Sequence, residues 1–325
     1  MSTKDGFSKF IKSLIFIAAI FLVFIVGIVA GTKPDKKHLY QASLLKLHLL
    51  QTIPSPRIII VGGSNVAFGI NSELMEKELG IPIINDGLHV ALGIAPLNEI
   101  KQYLHPGDIV IISLEYYNFT NSQSFFGEPQ YLADWVEFAP QRIWDLHEPY
   151  KLILPIYTIM LQRKVNRQLN FFLYGFSYDA TRNFYSGDKF NSHGDFIGHL
   201  GPANQKTFDI PNSEYPINLI DEAYVYLEDF NQFAKSKGAI VFYEAQAHRQ
   251  TNCEKTGQNQ LRRFFSLIRQ RTTIPILTNI DQLCLPDNYF YDTPYHLNEQ
   301  GREVRTERLI TNLKKALSDT NKALP

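Results

Sequence analysis

A serine and an aspartate–histidine pair are the residues of this chain whose types and spacing predict chemistry. Ser64 ends the stretch RIIIVGGS and follows two glycines directly. Asp292 precedes His296 by four positions in the stretch YDTPYHLN. A serine hydroxyl becomes a nucleophile when a histidine takes its proton, and the histidine needs a carboxylate or carbonyl to fix its tautomer. Together these stretches predict acyl transfer through an acyl-serine, with a chance occurrence as the alternative for each stretch alone.

The stretch before the serine predicts a buried strand. Ile58–Val61 is a short apolar run that ends at glycines, and it is too short for a helix, which is typical of a strand buried on both faces. In open α/β sheets, ligands bind outside the carboxyl ends of the strands. Ser64 is therefore placed as a nucleophile on a glycine turn, while an ordinary strand-to-helix turn is the alternative interpretation.

Strands and helices alternate along the folded part of the chain, which predicts an α/β fold with helices on both faces of a parallel, flavodoxin-sized sheet of about five strands. The predicted strands are Ile58–Val61, Ile81–Asn85, Asp108–Leu114, Ala239–Ala245 and Ile274–Leu277. The predicted helices are Ser72–Leu79, Ala95–Leu104, Ile217–Lys237, Gln258–Arg271 and Asn298–Leu317.

The N-terminal residues 1–32 contain an apolar segment. No residue from Ser13 to Thr32 is charged, and Leu14–Ala30 is long enough to cross the ~30 Å hydrocarbon core of a bilayer. The segment is a membrane helix or a long signal sequence, and lysines on both sides leave its orientation open. Ile28 stands where a cleavage site needs a small residue, which favours an uncleaved, single-pass anchor. We expect the following domain to lie outside the cytoplasm, in a bacterial periplasm or at the cell surface.

The remaining boundaries follow from breaks in the alternation. A long segment after the third predicted strand predicts a lid, a substrate layer or a partner layer, with packing on the sheet edge or on the membrane as alternatives. The amphipathic Lys37–Gln51 predicts a helix that lies near the bilayer or against the domain. The predicted organisation is a stalk or linker at 33–56, a catalytic core at 57–118 and 217–318, an insertion at 119–216 and a tail at 319–325.

Composition argues against some classes of function. The 325-residue chain has 32 acidic and 32 basic side chains, so its formal net charge is zero and nothing favours nucleic-acid binding. His193, Asp195 and His199 resemble a cluster of metal ligands, but 191–194 has the composition of a turn, and we expect no metal. The sequence also predicts no cofactor.

The two cysteines, Cys253 and Cys284, lie on loops that follow the fourth and fifth predicted strands. In an exported domain such a pair predicts a disulfide, whereas in the cytoplasm the two would be buried thiols. A disulfide would tie the loop that carries Asp292 and His296 to its neighbour.

Short motifs, taken in order, resemble the SGNH (GDSL-type) superfamily of esterases and acyltransferases. Gly62–Asn65 stands where the family has its Gly-Asp-Ser nucleophile block, and Asn85–Gly87 stands where a glycine amide contributes to the oxyanion hole. Asn118 lies where the family has an asparagine donor, and Asp292 with His296 matches the terminal Asp/His block. The resemblance implies an SGNH-type, flavodoxin-like sheet. The oxyanion donors that it implies are the backbone amides of Ser64 and Gly87 and the side chain of Asn118.

Three departures accompany this resemblance. Gly63 replaces the usual aspartate of the nucleophile block. Asp292 and His296 are one residue further apart than in the common Asp-x-x-His, so Asp287 or a backbone carbonyl is an alternative partner for the imidazole. The Gly-x-Asn-Asp pattern of the family is absent around Asn118, where a turn-forming role is the alternative.

The anchor narrows the function that the resemblance implies. Membrane-tethered members with a large insertion include the alginate acetylation proteins and the D-alanyl transfer protein of teichoic acid synthesis. This group implies a serine esterase or O-acyltransferase that acts on an envelope polysaccharide. The implied partners are the bilayer, a multispanning membrane acyltransferase, and a glycan or lipid substrate. The alternative is a catalytically silent subunit of the same fold that binds glycan or serves as a scaffold.

Overall fold

The computed structural model describes residues 3–31, 37–174, 184–201, 220–256 and 258–322. Its centre is a parallel sheet of four strands in the order β2-β1-β3-β4, so the predicted α/β class and parallel sheet are confirmed. The strands are β1 (Ile58–Gly62), β2 (Ile83–Asn85), β3 (Ile109–Ser113) and β4 (Ile240–Tyr243).

The prediction of about five strands is one strand too many. Within Ile274–Leu277, a single parallel bridge joins Ile276 to Tyr243. The backbone N–H of Tyr243 donates to the carbonyl of Pro275, and the N–H of Leu277 donates to the carbonyl of Tyr243. Because Pro275 has no N–H of its own, it cannot donate to a ladder, and the segment stays a bridged edge.

Twelve α-helices occur in the described ranges, and the predicted bounds of α4 and α11 agree with them. The helix predicted at Ala95–Leu104 is shorter, because Lys101–Tyr103 forms a 3-10 turn. Part of the helix predicted at Ile217–Lys237 lies outside the described residues. The helices are α1 (Thr3–Gly31), α2 (Ala42–Thr52), α3 (Ser64–Gly69), α4 (Ser72–Leu79), α5 (Ala95–Ile100), α6 (Ser122–Phe126), α7 (Pro129–Phe138), α8 (Pro149–Tyr174), α9 (Asp221–Ser236), α10 (Gln250–Thr256), α11 (Gln258–Arg271) and α12 (Glu299–Lys322).

Helices cover both faces of the sheet. Every residue of β1 and β3 is buried, and successive side chains point to opposite faces, so both faces need an apolar cover. On one face, Ile59 and Val110 share a core with α2, α5, α9 and α11. On the other face, Ile58 and Ile111 share a core with α3, α4 and α12. The carboxyl edge of the sheet is therefore held from two sides.

Helix α1 is long and apolar enough to span a membrane. The window Gly6–Val23 meets the hydropathy criterion for a span, and none of it is buried in the domain. Helix α2, by contrast, packs on the sheet, with Leu50 almost completely buried. Of the two positions expected for the amphipathic segment Lys37–Gln51, the structure has the one against the domain.

The predicted insertion at 119–216 contains two parts that the structure describes. Helices α6, α7 and α8 form the first part, and α7 and α8 share a second core with Tyr40, Ala42 and Leu92. The second part, residues 184–201, is attached to the sheet through Asp195. This buried carboxylate accepts hydrogen bonds from Ser72, Asn85 and Arg302. Asp195 therefore has a structural role, and the segment lies against the sheet.

A second, two-stranded parallel sheet pairs β5 (His248–Arg249) with β6 (Cys284–Leu285). Cys253 in α10 forms a disulfide with Cys284 in β6. The bond joins the region after β4 to the segment that leads into the Asp292–His296 loop.

Candidate active site

Ser64 is the first residue of α3 and lies at the carboxyl edge of the sheet. Its hydroxyl donates a hydrogen bond to Oε1 of Glu115, at 3.3 Å. Glu115 follows β3, and β1 and β3 are adjacent parallel strands with Gly62 beside Ser113. The chain passes from β1 to β2 on one side, while β3 lies on the other side, and ligands of open α/β sheets bind at such a reversal of strand order.

The pattern-based interpretation missed Glu115. Glu115 is only 2% exposed. Its carboxylate also accepts a hydrogen bond from the backbone N–H of Asn65. Burial raises the pKa of Glu115, while the nearby His296 and the hydrogen bonds from Asn65 and Ser64 oppose that shift. An acidic residue directly after the apolar run of β3 is the signal that was present in the sequence.

Gly63 provides the space for this carboxylate. A Cβ atom on residue 63 would lie 2.4 Å from Oε1 of Glu115 and 3.0 Å from Cα of Val90. The φ of Gly63 is −85°, so its backbone suits any residue and the requirement is for space. An aspartate at this position would collide with Glu115 in its present conformation. The glycine at position 63 therefore has a steric reason in this chain.

Asp292 reaches the imidazole of His296 despite the longer spacing. Oδ1 of Asp292 lies 2.6 Å from Nδ1 of His296, which places the proton on Nδ1 and leaves Nε2 as the acceptor. The hydroxyl of Thr293 accepts hydrogen bonds from the backbone N–H groups of Tyr295 and His296, and this turn closes the loop. Asp287, the alternative partner, instead binds Arg249 and Thr251.

Phe68 links the histidine to the helix of the serine. The imidazole of His296 stacks on the Phe68 ring with centroids 3.8 Å apart and an angle of 3° between the planes. Phe68 and Ser64 belong to the same short helix, α3. The structure thus brings two hydrogen-bonded pairs, Ser64–Glu115 and Asp292–His296, to one edge of the sheet.

The predicted oxyanion donors other than Ser64 have partners inside the protein. The backbone N–H of Gly87 donates to Oδ1 of Asn85, at 3.0 Å. The amide nitrogen of Asn118 donates to the carbonyls of Val90 and Ser124, and its oxygen accepts from the backbone N–H of Glu115. Asn118 therefore fixes the backbone that carries Glu115. The N–H of Ser64 belongs to the first turn of α3, where such groups lack intrahelical acceptors.

Two further histidines, His89 and His199, lie near His296. Burial and the nearby His296 lower the pKa of His89 to about 4. Burial, Arg302 and His296 lower the pKa of His199 to about 3. Both rings are neutral at pH 7, so His296 is free of competing positive charge from them. Among the side chains that the structure describes, no cluster of metal ligands is found.

Comparisons with known proteins bring no relative to this site. No family model, curated protein or solved structure matches the chain. The chemistry of the site therefore has to follow from its own geometry.

Proposed function

We propose that the protein is a membrane-anchored serine esterase or O-acyltransferase with an SGNH-type core, which acts on cell-envelope polysaccharide through an acyl-serine. The observation that supports this most strongly is the meeting of Ser64, Glu115, His296 and Asp292 at one carboxyl edge of a parallel sheet. The strand order β2-β1-β3-β4, extended by the bridge at Ile276, agrees with a flavodoxin-like arrangement.

The proposed reaction begins when Oγ of Ser64 attacks the carbonyl carbon of an ester. Nε2 of His296 takes the hydroxyl proton and then gives it to the leaving oxygen as the ester bond breaks, while Asp292 stabilises the imidazolium. Water or a sugar hydroxyl next attacks the acyl-serine, and His296 takes that proton and returns it to Ser64. In this proposal the serine hydroxyl exchanges its hydrogen bond to Glu115 for one to His296 before the attack. Glu115 is thus a positioning residue for the resting hydroxyl.

Stabilisation of the oxyanion falls first to the backbone N–H of Ser64. One preorganised donor is typically worth ~3–4 kcal/mol of the barrier. The N–H of Gly87 contributes in this proposal when the Asn85 side chain releases it, since the two are now hydrogen-bonded. In this proposal the oxyanion of the substrate takes the place of the Asn85 side chain as the acceptor for the N–H of Gly87.

Two features support an anchored domain outside the cytoplasm. Helix α1 has the length and hydropathy of a membrane span. Disulfides persist in oxidising compartments, and the pair Cys253–Cys284 agrees with that location. A multispanning membrane acyltransferase that supplies the acyl group remains the proposed partner.

The test is covalent labelling of the full-length protein in lipid nanodiscs with a fluorophosphonate. We expect a phosphonyl adduct on Ser64 by mass spectrometry, with loss of fluoride, and no adduct there in Ser64→Ala. The matched control Ser318→Ala should label as the wild type does, because Ser318 lies on the exposed end of α12. A folded wild-type protein that stays unlabelled at Ser64 contradicts the proposal.

The silent scaffold remains a second candidate because of specific contacts. The Ser64 hydroxyl is hydrogen-bonded to Glu115, and the amide nitrogen of Asn118 donates to two carbonyls. If these hydrogen bonds persist when substrate is present, Ser64 and Asn118 have a structural role and not a catalytic one. An unlabelled but folded protein would favour this candidate. For a labelled protein, acyl transfer to an oligosaccharide compared with release to water separates transferase from esterase.

A further inference from the structure

A cavity of about 500 Å³ opens beside Asp292. Three segments that are far apart in the chain form its wall with the aspartate: residues 37–40, helix α7, and residues 184–186. The last two belong to the predicted insertion at 119–216. The insertion and the segment after α1 thus meet next to the acid–base pair.

Aromatic side chains form much of the wall. The Tyr131 ring stacks on His89, with centroids 4.6 Å apart and 21° between the planes. Tyr40 and Phe184 contribute further aromatic surface. Tyr131 and Phe184 are half-buried, so part of each ring remains accessible. Flat aromatic surface of this kind suits a ligand with an apolar face.

Polar groups alternate with these rings. Asp134 pairs with Arg163, and Asp292 pairs with His296, so each carboxylate has a basic partner. Burial lowers the pKa of His38, which keeps its ring neutral. Lys37 also lines the cavity. A carboxylate accepts more than one hydrogen bond, so hydroxyl groups of a ligand can bond to Asp134 in place of water, whereas an alkyl chain would displace that water at a cost.

We infer that this cavity binds a sugar ring, the acceptor or the acylated residue of the substrate glycan. A pyranose has an apolar face for Tyr131 and hydroxyls for Asp134. The ring would lie beside the Asp292–His296 pair, where one of its hydroxyls or esters meets Ser64. The placement of the ring as substrate rests on the proposed function, whereas sugar binding itself does not.

Residues 37–40 of the cavity wall also limit how far the bound sugar can lie from the membrane. Six Cα-to-Cα steps lead from Gly31, the end of α1, to Lys37 in the wall. An extended chain of that length spans at most about 22 Å. If α1 crosses a bilayer, the cavity therefore lies within that distance of the membrane surface. The sugar belongs to a membrane-proximal or lipid-linked glycan.

The test measures binding of chitotetraose and cellotetraose to the full-length protein in phosphatidylcholine nanodiscs, which carry no sugar headgroup. Saturation-transfer NMR reports the contact, and titration calorimetry gives Kd. We expect binding to weaken about tenfold or more in Tyr131→Ala and in Asp134→Asn. Tyr157→Ala is the matched control, because Tyr157 is an exposed tyrosine on α8 outside the cavity. Melting curves show that each variant is folded.

The outcomes separate this inference from the proposed function. Ser64→Ala should bind both tetrasaccharides as the wild type does. Binding that depends on Tyr131 in a protein that the fluorophosphonate does not label supports the cavity and contradicts the enzyme. Labelling of Ser64 without tetrasaccharide binding, or with binding that Tyr131→Ala leaves unchanged, overturns the cavity. Occupation by laurate with no response to either sugar overturns it as well.

Discussion

The sheet edge and the cavity lie side by side but are built differently. Ser64 and Glu115 follow strands whose residues are all buried, and Arg305 ties the same edge to α12 through hydrogen bonds to Asn65, Ser113 and Glu244. The wall of the cavity comes from segments outside the sheet and combines half-buried rings such as Tyr131 and Phe184 with the buried Tyr40 and the exposed Lys37. Changes at the edge should therefore alter stability together with activity, whereas changes in the wall should alter ligand affinity alone.

The loop of Asp292 and His296 lies between these two extremes. Its shape depends on local hydrogen bonds that the Thr293 hydroxyl accepts, and the side chain of His296 is 13% exposed. The loop also touches both regions, since His296 stacks on Phe68 of the edge and Asp292 lines the cavity. In this loop, therefore, we expect substitutions to remove the proposed activity with little loss of stability.

The largest expected effect is on turnover in His296→Gln. Without a base to take the serine proton, kcat for hydrolysis of an activated acetate ester should fall at least about 10²–10⁴-fold, the usual contribution of a positioned general base. Asp292→Asn should also reduce kcat strongly, since the amide favours the wrong tautomer of the imidazole. The melting temperature should stay near that of the wild type, because the loop keeps its Thr293 turn. Thr311→Ala, on the exposed face of α12, serves as the control.

A large drop in the melting temperature of His296→Gln would contradict this view of the loop. It would mean that the stacking on Phe68 holds the edge together. The loop of Asp292 and His296 would then belong to the sheet edge, where substitutions alter stability and activity together.

Gly63→Ala tests the edge itself. The added Cβ would meet Glu115 and Val90, and overpacking of this kind typically costs about 1–3 kcal/mol of unfolding free energy. Urea unfolding gives this change. We expect the double variant Gly63→Ala with Glu115→Ala to recover part of the loss, because the closest contact disappears. If the double variant is no more stable than Gly63→Ala, Glu115 does not fill the space beside residue 63.

Continuous apolar runs explain why much of the fold could be predicted from sequence. The strands at Ile58–Val61 and Asp108–Leu114 were located to within a residue or two, since a buried parallel strand needs such a run. The prediction of a strand at Ile274–Leu277 was wrong. Its apolar run suits a strand, but Pro275 lacks the backbone N–H that a ladder hydrogen bond needs. The small β5–β6 sheet has two residues in each strand and leaves too short a pattern to detect.

The candidate site was less accessible to sequence reasoning. Ser64, Asp292 and His296 belong to local motifs, so each was named from its neighbours. The contact of Glu115 with Ser64 depends on the pairing of β1 with β3, and residues 51 positions apart carry no local pattern for it. For Asn118 the sequence left a choice between an oxyanion donor and a turn-forming residue, and its side chain makes hydrogen bonds to the carbonyls of Val90 and Ser124. The cavity requires three distant segments and has no motif at all.

The smallest expected effect concerns the charge at the edge. Burial raises the pKa of Glu115, so the folded state binds its proton more tightly than the unfolded state does. The stabilisation from that proton is complete below the ordinary carboxyl range and is lost as the pH rises through the raised pKa. Glu115→Gln keeps the size and an acceptor oxygen but has no charge at any pH. The melting temperature of Glu115→Gln should therefore gain relative to the wild type on going from pH 4 to pH 8.

The exposed Glu73→Gln is the control, because its difference from the wild type should change much less over the same range. A Glu115→Gln variant that loses stability relative to the wild type at pH 8 would mean that the carboxylate charge holds the edge together, through Ser64, Asn65 and His296.

The same variant also tests whether the edge and the cavity are independent. If Glu115 belongs to the edge alone, Glu115→Gln should leave the Kd for chitotetraose unchanged, since Glu115 does not line the cavity.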